Sequence, residues 1–188
     1  MTDLIQPYDP HWKTEFEQLK QVFSNELIGF EIDIQHVGST AIPGLCAKPV
    51  LDVDIILHNK SMLEQVTVIL ERIGYVSKGE QGIEGRFAFR QRAVFTPITS
   101  TQQQWQAHHL YVCFADSLAL KNHLLFRDAL LQNNQLVEQY SELKLALLNE
   151  HGITREEYTK RKTAFILSVL SRAGFSEEER TEIAKANV

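Results

Sequence analysis

Asp52 and Asp54 sit two residues apart in an otherwise apolar, β-branched run, Val50 to Leu57 (VLDVDIIL), and two acids in such a setting need a chemical reason. Twelve residues separate this pair from Gly38-Ser39, which closes a second run that alternates apolar and polar residues, Phe30 to Val37. In an extended chain, side chains i and i+2 leave the same face, so the two carboxylates project side by side from a stiff support. Unpaired, they repel, and one is driven to keep its proton. A hard divalent cation removes that conflict, and Mg²⁺ (or Mn²⁺) suits two carboxylates completed by phosphate oxygens and waters. Gly38 lets backbone come close to an anion, while the Ser39 hydroxyl and neighbouring N–H groups donate to it. Gly-Ser alone is ordinary turn chemistry. The joint pattern reads as a metal-bound nucleotide phosphate held between a loop and a strand. The plainer alternative is a pair of buried aspartates tied to Lys or Arg.

The elements that must position these groups are legible in the periodicity. Trp12, Phe16, Leu19, Phe23 and Leu27 line one face of a helix ending near Gly29, and a strand over Phe30 to Val37 follows. Pro43, Gly44 and Pro49 make Ser39 to Pro49 a loop. Val50 to Leu57 reads as a central strand covered on both faces. A helix over Ser61 to Ile73 is expected, capped by Ser61 and stopped by Gly74, and then a turn-rich stretch from Ser77 to Gly85. Strands are expected over Arg86 to Phe95 and His108 to Phe114, joined by a polar Thr/Gln stretch in the manner of an exposed hairpin loop. From Ser117 the spacing is helical to the end, with a last acidic helix from about Ser176, short and polar enough to fray. Strands first and helices last predict an α+β unit with a helical cap.

Length and composition bound the function. With 188 residues and 44% hydrophobic content, one core is expected, giving a single domain. A net charge of −5 does not predict a broad electrostatic grip on nucleic acid. Neither Cys46 nor Cys113 lies in a CxxC pair or in a zinc-type His spacing, so a reducing cytoplasm is expected and structural zinc is not. No run of about 18 apolar residues suggests a membrane span.

The run from His36 to Asp54, HVGSTAIPGLCAKPVLDVD, closely resembles the signature of the GrpB family of predicted nucleotidyltransferases. So do Tyr8-Asp9-Pro10 with Trp12, Gly85-Arg86, His109 to Val112, Phe126-Arg127-Asp128, Tyr140 with Leu143-Lys144, and Tyr158 with Lys162 and Phe165-Ile166. The resemblance implies a nucleotidyltransferase-like mixed β-sheet with flanking helices, residues 1–116 forming the α/β catalytic core and 117–188 a helical subdomain. It further implies Asp52 and Asp54 as metal ligands, and Gly38, Ser39 and Thr40 as phosphate contacts. Lys48 would touch phosphate or order the loop, Arg86 would touch phosphate or substrate, and Lys144 and Lys162 would reach in from the helices. The implied activity is transfer of a nucleoside monophosphate from an NTP to a small-molecule or protein acceptor, with a non-catalytic nucleotide-binding scaffold as the rival.

Such enzymes usually add a third carboxylate on a later strand. Here that strand reads His108-His109-Leu110-Tyr111-Val112, with His109 and Tyr111 at the inward positions. His109 is the candidate general base, since imidazole titrates near neutral pH. Glu84 or Asp116 could complete the metal shell, though each lies in a loop or at a strand end. Alternation turns His108 the opposite way. His36 is read as satisfying polar groups near the loop, and Arg127-Asp128 as a local ion pair.

Overall fold

The computed structural model describes residues 5–186. Helix α1 (His11–Glu26) forms as the spacing predicts, burying Trp12, Phe16, Leu19 and Phe23. The chain leaves it with Leu27 N–H on the Phe23 carbonyl and Phe30 N–H on the Leu27 carbonyl. Because Phe30 is engaged in that turn, strand β1 (Ile32–Val37) begins two residues later than the alternation suggests.

Strands β2 (Leu51–Leu57), β3 (Tyr75–Ser77), β4 (Arg86–Gln91) and β5 (His108–Phe114) complete a five-stranded sheet in the order β1-β2-β5-β4-β3. β2 runs antiparallel to β1 and parallel to β5, and β4 runs antiparallel to both β5 and β3, so the sheet is mixed. Alternation divides it cleanly. Leu51, Val53, Ile55 and Leu57 bury themselves in the main core with α1 and with α2 (Leu63–Arg72); each such side chain contributes about 1.5–3 kcal/mol relative to exposure. Asp52, Asp54 and Ile56 face the other side, where Ile56 and Cys113 pack on Leu120 of α3 (Leu118–Leu131).

Three local expectations need correction. The Ser61 side chain does not cap α2: Asn59 accepts from the Ser61 N–H, and a 3₁₀ turn over Lys60–Met62 leads into the helix. β3 is a three-residue edge strand, too short for alternation to reveal. β4 ends at Gln91, earlier than expected, and although Ser100, Thr101, Gln102 and Gln104 are exposed as expected, Trp105 at the end of that stretch is buried in the main core and donates its indole N–H to the Pro97 carbonyl at 2.7 Å.

The helical third adds α4 (Asn134–Asn149), α5 (Arg155–Arg172) and α6 (Glu177–Ala186). Ser117 and Asn133 cap α3 and α4, and Thr154 with Glu157 forms a capping box on α5, a reciprocal satisfaction of two N-terminal donors. Leu130, Val137, Tyr140 and Val169 close over Ile42 and Leu45, so the loop after β1 is packed by the helices. α6 is pinned where fraying was expected, with Phe175 and Ile183 buried against Leu170. No helix among the described residues is long and apolar enough to cross a membrane.

Candidate functional site

Gly38 follows β1 at φ +70 and ψ −169, a region essentially confined to glycine. A Cβ built there would fall 2.1 Å from Asp52 Oδ2, so the bare backbone of the loop lies directly on that carboxylate. The sheet register explains the contact: Val37, the residue before Gly38, pairs with Asp52. The chain then tightens into a 3₁₀ turn over Ser39–Ala41. Lys144, buried on α4, donates to Ser39 Oγ at 3.2 Å and to the Cys46 carbonyl, with its ammonium 4.7 Å from the Tyr140 ring centroid. Burial brings the Lys144 amine down to about 8, and the nearby charge of Lys162 acts in the same direction. The Lys162 amine is also lowered by burial, Asp52 working against that shift and Lys48 with it. Lys162 therefore lies within reach of the charges of both Asp52 and Lys48.

Asp54 is wholly buried. Its Oδ2 lies 2.7 Å from Nδ1 of His123 on α3, and its Oδ1 is buried with no hydrogen-bond partner. Burial disfavours charge on His123, but the Asp54 carboxylate and the hydrogen bond to it prevail and raise the imidazole's pKa. Beside it, burial pushes the half-buried Asp52 carboxyl up; His109 and His123 oppose this, Asp54 adds to it, and Lys162 opposes it.

β5 supplies the neighbouring row. His109 is exposed and pairs in register with Asp52, Tyr111 pairs with Asp54, and Cys113 pairs with Ile56. The Arg86 guanidinium lies 4.6 Å from the Tyr111 ring centroid, with its Nε buried and unpartnered. On β4 and β5 no carboxylate shares this face, where the residues are Arg86, Ala88 and Arg90, and His109, Tyr111 and Cys113. Glu84 and Asp116 are not brought to the pair. Both are exposed on the rim of a neighbouring cavity of about 500 Å³ that Arg86 and His123 also line, and Asp116 is bonded to Lys60 at 2.7 Å.

The geometry thus gathers Gly38, Ser39, Asp52, Asp54, His109, Lys144 and Lys162 around one corner of the sheet, with Arg86 one strand further on. Thr40 stands apart. It is 1% exposed, and its hydroxyl meets His36 Nε2 at 3.0 Å, so it orders the loop from behind. His36 itself stacks on Phe16 with centroids 4.6 Å apart. His108 turns to the opposite face, as alternation requires, and bonds the Tyr75 hydroxyl at 2.6 Å. The residues that sequence reasoning missed are His123 and the full reach of Arg127. Arg127 does pair with Asp128, but it also donates to Gln35 Oε1 at 2.8 Å and to the His36 carbonyl at 3.1 Å. Their signal was the i, i+4 spacing, which puts two polar side chains on one face of a largely apolar helix. Gln35 and Asp54 are register partners, so both side chains land on the same rung of the sheet.

The family model described as GrpB protein matches residues 4–172. The UPF0157 protein YqkA of Bacillus subtilis is 31% identical over 163 residues, which cover 85% of this chain and 43% of YqkA, so the chain spans less than half of that relative. The crystal structure of conserved protein GrpB from Enterococcus faecalis is 28% identical with a TM-score of 0.72, covering 97% of this chain and 98% of that one. A mutant of the Cid1 poly(U) polymerase bound to MgATP is 12% identical with a TM-score of 0.51 over 86% of this chain and 50% of that one, a likeness of fold alone. The family model spans residues 4–172, most of the chain, so the chain belongs to the GrpB family.

Proposed function

We propose that this protein transfers a nucleoside monophosphate from an NTP to a hydroxyl or amine acceptor, with Asp52 and Asp54 holding a divalent ion, Mg²⁺ or Mn²⁺. One observation carries the reading: Asp54 is wholly buried with Oδ1 unpartnered, beside an Asp52 whose carboxylate lies against the bare backbone of Gly38. Oxygen donors so placed fit a hard cation. A bound ion supplies neutralisation of phosphate charge and polarisation at the α-phosphorus. The chain's own groups do the rest. The Ser39 hydroxyl and the N–H groups of the turn after Gly38 donate to terminal phosphate oxygens, as short concave backbone turns do. Lys144 and Lys162 bring positive charge from the helices, Lys48 from the loop, and Arg86 from β4 on the acceptor side. His109, exposed and level with Asp52, takes the proton of the acceptor as its oxygen or nitrogen bonds phosphorus and pyrophosphate departs.

A second reading, a non-catalytic nucleotide-binding protein, is favoured by the histidine, tyrosine and cysteine that occupy the β5 face where a third carboxylate is usual. Incubation with each α-labelled NTP, Mg²⁺ or Mn²⁺ and a cell extract separates the two. Label transferred by the wild type and lost in Asp54→Ala supports catalysis. Metal-dependent binding without transfer supports the second reading. Binding untouched by either Asp52→Ala or Asp54→Ala removes the site assignment itself.

A further inference from the structure

Cys113 has no part in that chemistry, yet it is wholly buried two residues beyond Tyr111 on the face that carries Asp54. One donor atom each from Asp54, Cys113 and His123 lies within 4.8 Å of the other two, and among the described residues no other trio of His, Cys, Asp or Glu converges in this way. The three come from β2, β5 and α3, so no short Cys or His spacing announces them. The aspartate of this cluster also carries the unpartnered Oδ1, and leaving a buried polar atom without a partner is unfavourable.

We infer that Asp54, His123 and Cys113 form a site for a borderline divalent transition-metal ion of the Zn²⁺ type, chemically distinct from the oxygen donors that Asp52 offers to Mg²⁺. Imidazole and thiolate select Zn²⁺-class ions, whereas Mg²⁺ keeps to oxygen. The charges match, since a carboxylate and a thiolate balance a 2+ ion. The extra positive charge of Arg86, the register partner of Cys113, rests on the Tyr111 ring face. Three protein donors leave a fourth position for water or a ligand, the arrangement of reactive rather than purely structural zinc sites. Of the three, His123 also lines the cavity of about 500 Å³, together with Arg86. Asp54 is common to this site and to the aspartate pair, whereas Cys113 and His123 belong to this site alone.

The test is titration of metal-free protein with Co²⁺, which reports a thiolate ligand as a near-ultraviolet charge-transfer band. The expected result is one equivalent bound with that band, displaced by Zn²⁺ and not by millimolar Mg²⁺. The band should vanish in Cys113→Ser, and affinity should fall by at least about tenfold in His123→Gln, the loss seen even for outer-shell partners of a metal. It should persist in Asp52→Asn and Cys46→Ser. Absence of the band in the wild type, or its survival in Cys113→Ser, overturns the inference. If circular dichroism shows that Cys113→Ser is unfolded, His123→Gln decides, and unchanged Co²⁺ affinity there is equally fatal. Loss of the band in Asp52→Asn places the ion on the aspartate pair instead and also overturns it.

Discussion

Gly38→Ala tests whether the loop and the Asp52 carboxylate form one unit. The new Cβ would meet Oδ2 at 2.1 Å and Cγ at 2.8 Å, and reaching ordinary contact at 3.4 Å requires a shift of more than 1 Å. Mg²⁺ holds its ligands at about 2.0–2.1 Å in near-ideal octahedral geometry, so a carboxylate displaced that far is lost to the ion. The backbone adds its own strain, about 1–3 kcal/mol for a non-glycine residue at this φ and ψ. Each kcal/mol lowers the melting temperature by roughly 2–4 °C in a chain of this size. Gly79→Ala provides the control. Gly79 also has positive φ, +67, but nothing lies within 4 Å of its added Cβ, so it bears backbone strain without a collision. Mn²⁺ binding in the presence of a non-hydrolysable ATP analogue, followed by calorimetry, should weaken by at least about tenfold in Gly38→Ala and hold steady in Gly79→Ala. Both should melt below the wild type. Wild-type affinity in Gly38→Ala would refute the coupling of loop and carboxylate.

Three further outcomes are expected. Lys144 has its amine lowered to about 8, so it is charged below that pH; nucleotide affinity in fluorescence titrations should be flat below about pH 8 and fall above it, while Lys144→Met binds more weakly at pH 7 and loses the inflection. Burial lowers the His108 imidazole to about 4 from 6.5. The folded state therefore binds fewer protons than the unfolded state between those values, and the stability is present above about pH 6.5 and lost as pH falls toward 4, by up to about 3 kcal/mol. Urea unfolding at pH 7 and pH 4.5 should show this loss, and His108→Gln should reduce it; an identical pH dependence in the variant counts against the assignment. Removing His123 leaves the buried Asp54 carboxylate without its partner, so His123→Ala should cost about 2 kcal/mol. A double-mutant cycle with Asp54→Ala should give clear coupling, and strict additivity would refute the pair.

Where function rested on a periodic element, it was legible in the sequence. Alternation put Asp52 beside Asp54, separated His109 from His108, and marked β2 as interior, because a two-residue period leaves a strand little choice of face. The Gly38 turn was legible because only glycine accepts its backbone. What escaped were contacts between elements. Nothing in the local spacing of His123 says that it meets Asp54, 69 residues earlier. Cys113 has no zinc-type spacing in the sequence, and the donor atoms of Asp54 and His123 that lie near it come from another strand and from a helix. The resemblance implied Thr40 as a phosphate contact, yet its buried hydroxyl meets His36 Nε2, a contact that no local spacing announces. β3 was missed because three residues hold no period, and the burial of Trp105 was missed because it ends a polar segment that is otherwise largely exposed.

The Lys144 tie to Ser39 spans 105 residues, and Arg127 reaches back 92 to Gln35. Contacts this distant in sequence form only once both partners have been synthesised. During synthesis the sheet strands emerge well before α3 and α4, and until those helices arrive Asp54 lacks the imidazole that balances it and the turn after Gly38 lacks its clasp. Docking of the helices is therefore the event that assembles this site, and a nascent chain stalled before α3 would hold the right strands without a competent centre.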